Sequence, residues 1–168
     1  MRQNRGTGIK PTEGAKKMTM PTEKKRVLLI GEQPDIELCA ILGEEGYEVA
    51  ALESPHRARG VFPLYKPHVI IVFPRYPKEV VILEECLAMA GTVPVVAAIS
   101  LIAKPTLVKA VKEKATAFVV LPAKRQTIRE TLQAVALFAD EAQFRSGGKK
   151  ILGTDSPGEK RPHPADSL

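Results

Sequence analysis

Between residues 26 and 145, short runs of β-branched and other apolar residues alternate with segments whose apolar positions recur every three or four residues. The runs Arg26–Ile30, Glu48–Leu52, Val69–Phe73, Val95–Ile99 and Ala117–Leu121 predict strands. The segments Asp35–Glu45, Pro55–Tyr65, Lys78–Ala90, Lys104–Ala115 and Lys124–Arg145 predict the helices that follow them. The strand runs are nearly continuous in apolar residues, as expected of strands covered on both faces. The alternation therefore predicts a parallel sheet between two helical layers, a three-layer α/β/α sandwich. In the last helix Ile128, Leu132, Val135 and Ala139 keep the spacing of one buried stripe. Punctuation fits these elements: Pro34 suits a first helical turn, and Asp35 and Glu37 suit the positive end of its dipole. Gly46 suits a left-handed stop, and Pro67 should end the second helix and hold Lys66 extended.

Composition changes this picture at the ends. With 168 residues, 44% of them hydrophobic, the chain can bury one core of ordinary size. The net charge of +6 is not spread evenly. Residues 1–26 hold eight Lys/Arg against two Glu, residues 145–168 five against three acids, and residues 27–144 twelve against fourteen. Both ends are rich in Gly, Pro, Ser, Thr and charge, so residues 1–24 and 146–168 are expected to be disordered tails around a domain at 25–145. Cys39 and Cys86 lie far apart in apolar stretches and read as free core thiols in a reducing compartment. No segment approaches the ~20 apolar residues of a membrane span, and no apolar block serves as a signal peptide. A cytoplasmic protein without membrane insertion is expected.

The chain carries few residues in catalytic or metal-binding patterns. His56, His68 and His163 have no partner at a metal-ligand spacing. The chain has no G-x-S-x-G elbow, no Walker lysine motif and no G-x-G-x-x-G, and Gly6-Thr7-Gly8 follows no predicted strand. Neither an enzyme nor a resident cofactor is expected.

The run Arg26-Val27-Leu28-Leu29-Ile30-Gly31-Glu32-Gln33-Pro34-Asp35, followed by Gly43-Glu44-Glu45-Gly46-Tyr47-Glu48-Val49, resembles the opening of a bacterial response-regulator receiver domain. The likeness continues through Lys66-Pro67-His68-Val69-Ile70-Ile71-Val72, Thr92-Val93-Pro94-Val95-Val96 and Ala115-Thr116-Ala117-Phe118-Val119-Val120-Leu121-Pro122. It covers nearly all of residues 24–140, in order. The resemblance implies a flavodoxin-like (βα)5 fold with strand order 2-1-3-4-5. It also implies a phosphorylation chemistry: an aspartate ending strand three as acceptor, an acidic pair after strand one to hold Mg²⁺, a Ser/Thr ending strand four and a Lys ending strand five. Such groups would meet in the crevice at the carboxyl ends of the strands.

Position by position, this chain departs from that pattern. The acceptor falls on Phe73, the acidic pair on Gly31 and Glu32, the Ser/Thr on Ile99 and the Lys on Leu121. Ser100 follows Ile99, but one step along a strand reverses the face of emergence. The aromatic switch position falls on Phe118. Acceptor, hydroxyl and lysine are all apolar, and Phe73, Ile99 and Leu121 are expected to pack together where a phosphate would sit. A degenerate, pseudo-receiver member is the expectation, with neither metal nor phosphoryl group. Arg75 and Tyr76, in the loop after strand three, could hold a small anion or stand as solvated loop residues.

With that chemistry gone, surfaces carry the expectation. Residues 27–103 hold five basic and ten acidic side chains, whereas residues 104–130 hold seven basic and two acidic. Lys104, Lys109, Lys112, Lys114, Lys124, Arg125 and Arg129 are therefore read as a basic cluster on helix four and the start of helix five, either a solvated face or a docking site. The leading reading is a phosphorylation-independent signalling or localisation module that binds an acidic protein, or a second copy of itself, through helix four, strand five and helix five. A nucleic-acid adaptor using the basic tails and helix four, or a small-ligand sensor at the crevice, are the alternatives. Nucleic acid is disfavoured by the lack of a helix-turn-helix and by only 5% aromatics.

Overall fold

The computed structural model describes residues 23–148; the expectations for Gly6-Thr7-Gly8, His163 and almost all of both tails fall outside them. The chain folds as β1 (Arg26–Ile30), α1 (Ile36–Glu44), β2 (Glu48–Leu52), α2 (Pro55–Tyr65) and β3 (Val69–Val72). A 3-10 turn at Pro77–Glu79 then leads into α3 (Val80–Ala90), followed by β4 (Val95–Ser100), α4 (Pro105–Lys114), β5 (Ala117–Leu121) and α5 (Arg125–Gly148). The five strands are parallel in the order β2-β1-β3-β4-β5, the flavodoxin-like arrangement.

Strand residues alternate between two apolar layers. Leu29, Ile71, Val96 and Val119 face α1 and α5, where they meet Leu38, Leu42, Ile128, Leu132 and Val135. Leu28, Ile70, Ala97 and Ile99 face α2, α3 and α4, where they meet Ala58, Leu83, Leu107 and Val111. Burial on both sides is why the strand sequences read as continuous apolar runs. Among the described residues no polar or charged side chain is buried, and no helix is long and apolar enough to cross a membrane.

Element ends depart from expectation by one to three residues. Pro34 stands ahead of α1 rather than in its first turn, because Asp35 is the cap: its Oδ1 accepts from the Leu38 N–H at 2.8 Å. Gly46 takes the left-handed conformation expected of it, with φ +85°. Lys66 is not extended. It is left-handed (φ 49°, ψ 63°), its N–H donating to Phe62 O at 3.0 Å and its carbonyl accepting from Arg26 Nε at 3.2 Å. Pro67 disfavours a right-handed helical residue before it, and the left-handed turn satisfies the end of α2 in the same step. α5 runs through Gly148, past the Arg145 at which its sequence pattern stops.

Candidate functional site

A crevice of about 1150 Å³ opens at the carboxyl ends of the strands. Phe73 follows β3 directly, and its N–H donates to Ile30 O at 3.1 Å, which holds the residue against the end of β1. The ring is only 8% exposed and belongs to the layer under α1 and α5, with Leu121 at its margin. Gly31 lies against it: a Cβ added there would stand 3.1 Å from Phe73 Cβ and 3.4 Å from Cδ2. Gly31 after β1 and the Phe73 ring after β3 therefore occupy adjoining space.

Ile99 does not join this group. β3 and β4 pair with Val72 opposite Ala97, so the next pair is Phe73 and Ala98, and Ile99 points to the opposite layer, where it is 1% exposed among α2, α3 and α4. Alternation then returns Ser100 to the crevice, which Ala98, Ser100 and Leu121 line together with Phe73. The expected Phe73–Ile99–Leu121 cluster is thus corrected to Phe73, Ala98 and Leu121, with Ser100 beyond them. The side on which a residue after a strand emerges follows from its pairing with the neighbouring strand, and the β3–β4 register sends Ile99 away from Phe73. Ser100 Oγ accepts from the Ile102 N–H at 3.4 Å, within the turn that follows β4.

The charged groups of the crevice stand on different loops. Glu32, Asp35 and Glu37 line it from the β1–α1 side, Arg75 from the β3–α3 loop and Lys104 from the start of α4. Asp35 is engaged in capping α1. Arg75 Nη2 donates to the carbonyl of Gln33 at 3.4 Å and to its Oε1 at 3.1 Å, while the Arg75 N–H donates to Glu79 Oε2 at 2.7 Å. Arg75 is therefore a tether between two loops, more than the freely solvated residue that is one reading of the sequence. The position after β1 that would supply a metal offers Gly31 and a single exposed carboxylate, Glu32, beside an aromatic ring. That donor set does not fit Mg²⁺, which demands close to octahedral oxygen ligation. Among the described residues no three His, Cys, Asp or Glu stand together as metal ligands.

A second, smaller groove of about 360 Å³ runs beside the edge strand β5, lined by Lys112, Thr116, Phe118, Thr131 and Phe138. Phe118 is half-buried, and Lys112 Nζ lies 5.4 Å from its ring centre, within cation–π range. Phe138 leaves 60% of its surface to water.

The basic residues do not form one cluster. Arg125 bonds Glu45 and, at 2.9 Å, Glu44, and Arg129 holds both oxygens of Glu45 at 2.8 Å, so these two arginines tie α5 to the end of α1. Lys114 pairs with Glu84 on α3. Regional charge counts hide this, because the acidic partners come from elements distant in sequence. Lys109, Lys112 and Lys124 remain exposed without an ion pair among the described residues, and Lys104 belongs to the crevice. The Glu45 carboxyl is held down at about 2 by the hydrogen bonds from Arg129 and then Arg125. Both cysteines are free. Burial first, then the nearby Glu85, pushes the Cys86 thiol to about 12, and partial burial raises Cys39.

The sequence matches no protein-family model and no curated protein. Solved structures do share its fold. NtrX from Brucella abortus aligns over 79% of this chain at 19% identity with a TM-score of 0.66, although the match spans only 30% of the NtrX chain. The isolated receiver domain of NtrX aligns over 66% of this chain and 97% of its own length at 19% identity, TM-score 0.55. A CheY-like response regulator receiver domain protein from Methanospirillum hungatei aligns over 71% of this chain and 98% of its own, at 15% identity and a TM-score of 0.58. The fold is that of receiver domains.

Proposed function

We propose that this chain is a receiver-fold signalling or localisation module that has lost phosphoryl transfer, is not an enzyme, and acts by protein contact through α4, β5 and α5. The observation that carries the first half is the Phe73 ring seated against Gly31, where the Cβ-to-Cβ room is 3.1 Å. The acceptor position holds no nucleophilic oxygen and the glycine beside it supplies no metal-binding carboxylate, so neither chemical requirement is met. Gly31, Glu32, Phe73, Ile99 and Leu121 are the degenerate positions in this reading, with Ile99 in the layer opposite Phe73.

The second half rests on the groove beside β5, where the exposed Phe138 adjoins Lys112 and the half-buried Phe118. An apolar groove flanked by the unpaired Lys112 suits a partner that brings apolar and acidic side chains together, either another protein or a second copy of the chain.

Incubation with Mg²⁺ and a small acyl phosphate tests the chemistry. Intact mass is expected to stay unchanged, for the native chain and for Phe73→Asp alike, since the single substitution restores neither the second acid nor the lysine. A hydroxylamine-labile phosphoryl adduct on the native chain would refute the proposal. For the surface, Phe138→Glu is expected to abolish any concentration-dependent association seen by sedimentation without lowering the melting temperature. Unchanged association would remove this face from consideration.

A further inference from the structure

We infer that the strand-end crevice binds a small zwitterion with an apolar body, an apolar amino acid or a short peptide carrying the same two terminal charges. This deepens the crevice half of the reading above, on whose apolar Phe73 it rests, and is independent of the docking half, since the crevice and the β5 groove share no lining residue.

Three observations converge on that class. The floor is apolar, built from Phe73, Ala98 and Leu121, so the place where a receiver would bind a doubly charged group instead offers a surface from which water is easily displaced. Ile36, at the start of α1, and Ile102, in the turn after β4, both line the crevice and leave 85% and 90% of their surface to water. Large aliphatic side chains so placed gain from a ligand body that covers them and gain nothing from a hydrated ion. The volume is also ample, since small-molecule pockets commonly occupy about 300–1,000 Å³.

The third observation is the division of charge. Carboxylates come from the β1–α1 side, where Glu32 and Glu37 are exposed and have no ion pair among the described residues. Cations come from the neighbouring loops, Lys104 at the start of α4 and Arg75 after β3, with the Ser100 hydroxyl between the strand ends. A purely anionic ligand would face the Glu32 side unpaired, and a purely cationic one would face Lys104. A molecule with an ammonium and a carboxylate on one apolar frame satisfies both sides and covers the floor. Its carboxylate falls to Lys104 and Ser100, its ammonium to Glu32.

Titration of the ¹⁵N-labelled full chain with L-phenylalanine, diphenylalanine, N-acetylphenylalanine and phenylalaninamide tests this. Both zwitterions are expected to shift the amide resonances of Glu32, Phe73, Ser100 and Lys104, and both single-charge analogues to bind several-fold more weakly. Lys104→Ala should weaken the zwitterions and N-acetylphenylalanine but spare phenylalaninamide, and Glu32→Gln should do the reverse; both residues are exposed, so neither change threatens the fold. Tighter binding of the dipeptide would assign the site to peptides and tighter binding of phenylalanine to free amino acids, and either supports the inference. It is overturned if no probe shifts these resonances up to its solubility limit, if a single-charge analogue binds as tightly as the zwitterions, or if Lys104→Ala leaves every affinity unchanged.

Discussion

Phe73 and Gly31 behave as one feature at the residue scale. Because a Cβ at 31 would stand 3.1 Å from Phe73 Cβ, Gly31→Ala should destabilise by about 1–2 kcal/mol, the cost of overpacking a filled site. Phe73→Ala removes a ring that is 8% exposed and should cost about 3 kcal/mol, the low end for a core phenylalanine because the site opens onto the crevice. The double variant should cost less than the sum by at least ~0.5 kcal/mol, since the enlarged space accepts the new methyl. Urea denaturation of the four proteins measures the coupling, and strict additivity would contradict the shared space. Lys66 makes a separate prediction. Its left-handed φ of 49° costs a non-glycine residue about 1–2 kcal/mol, so Lys66→Gly should stabilise by about 0.5–1 kcal/mol after the added entropy of the unfolded chain. The identity of Phe73 as an apolar residue at a strand end was legible in the sequence. Its contact with Gly31 was not, because it depends on the β1–β3 pairing, and the placing of Ile99 failed because facing depends on the β3–β4 register.

Among elements, the junction of α1 with α5 shows how legibility runs out with distance along the chain. Strands, helices and their order could be read from local periodicity and punctuation, which is why β1, β2, α2 and β5 have the bounds the pattern predicts. The pairing of Arg125 and Arg129 with Glu44 and Glu45 joins residues some eighty positions apart, and no local signal announces it. Its chemistry is testable through pH. The Glu45 carboxyl sits at about 2 in the folded chain against an ordinary 4.5, so the folded state binds this proton more weakly than the unfolded state does. The resulting stability is fully present above about 4.5 and disappears as pH falls through about 2. In Glu45→Gln the melting temperature should fall less steeply with acidification across that interval than in the native chain. Parallel curves for the two proteins would show that the arginines do not favour the charged form.

For the whole molecule, these pairings divide a basic region that the sequence presents as one. Arg125, Arg129 and Lys114 pair their charge inside the domain, on α1 and α3, whereas Lys109, Lys112 and Lys124 present theirs outward, Lys112 in the groove with Phe118 and Phe138. If α4, β5 and α5 form the docking face, stability and association should separate by residue. Arg129→Glu places a carboxylate against Glu45, whose side chain is only 12% exposed, so it should lower the melting temperature. It should change association only as far as it changes folding. Lys112→Glu disturbs no ion pair among the described residues and should leave the melting temperature within a degree or two of native, as exposed substitutions shift stability by about 0.5 kcal/mol or less. Yet it reverses the charge beside Phe118 and Phe138, so association with an acidic partner or a second copy should weaken, and its dependence on salt should shrink. Thermal denaturation and sedimentation at two ionic strengths separate the two effects. Loss of association in Arg129→Glu at a temperature where it remains folded, with none in Lys112→Glu, would place the docking face on the α1–α5 side instead.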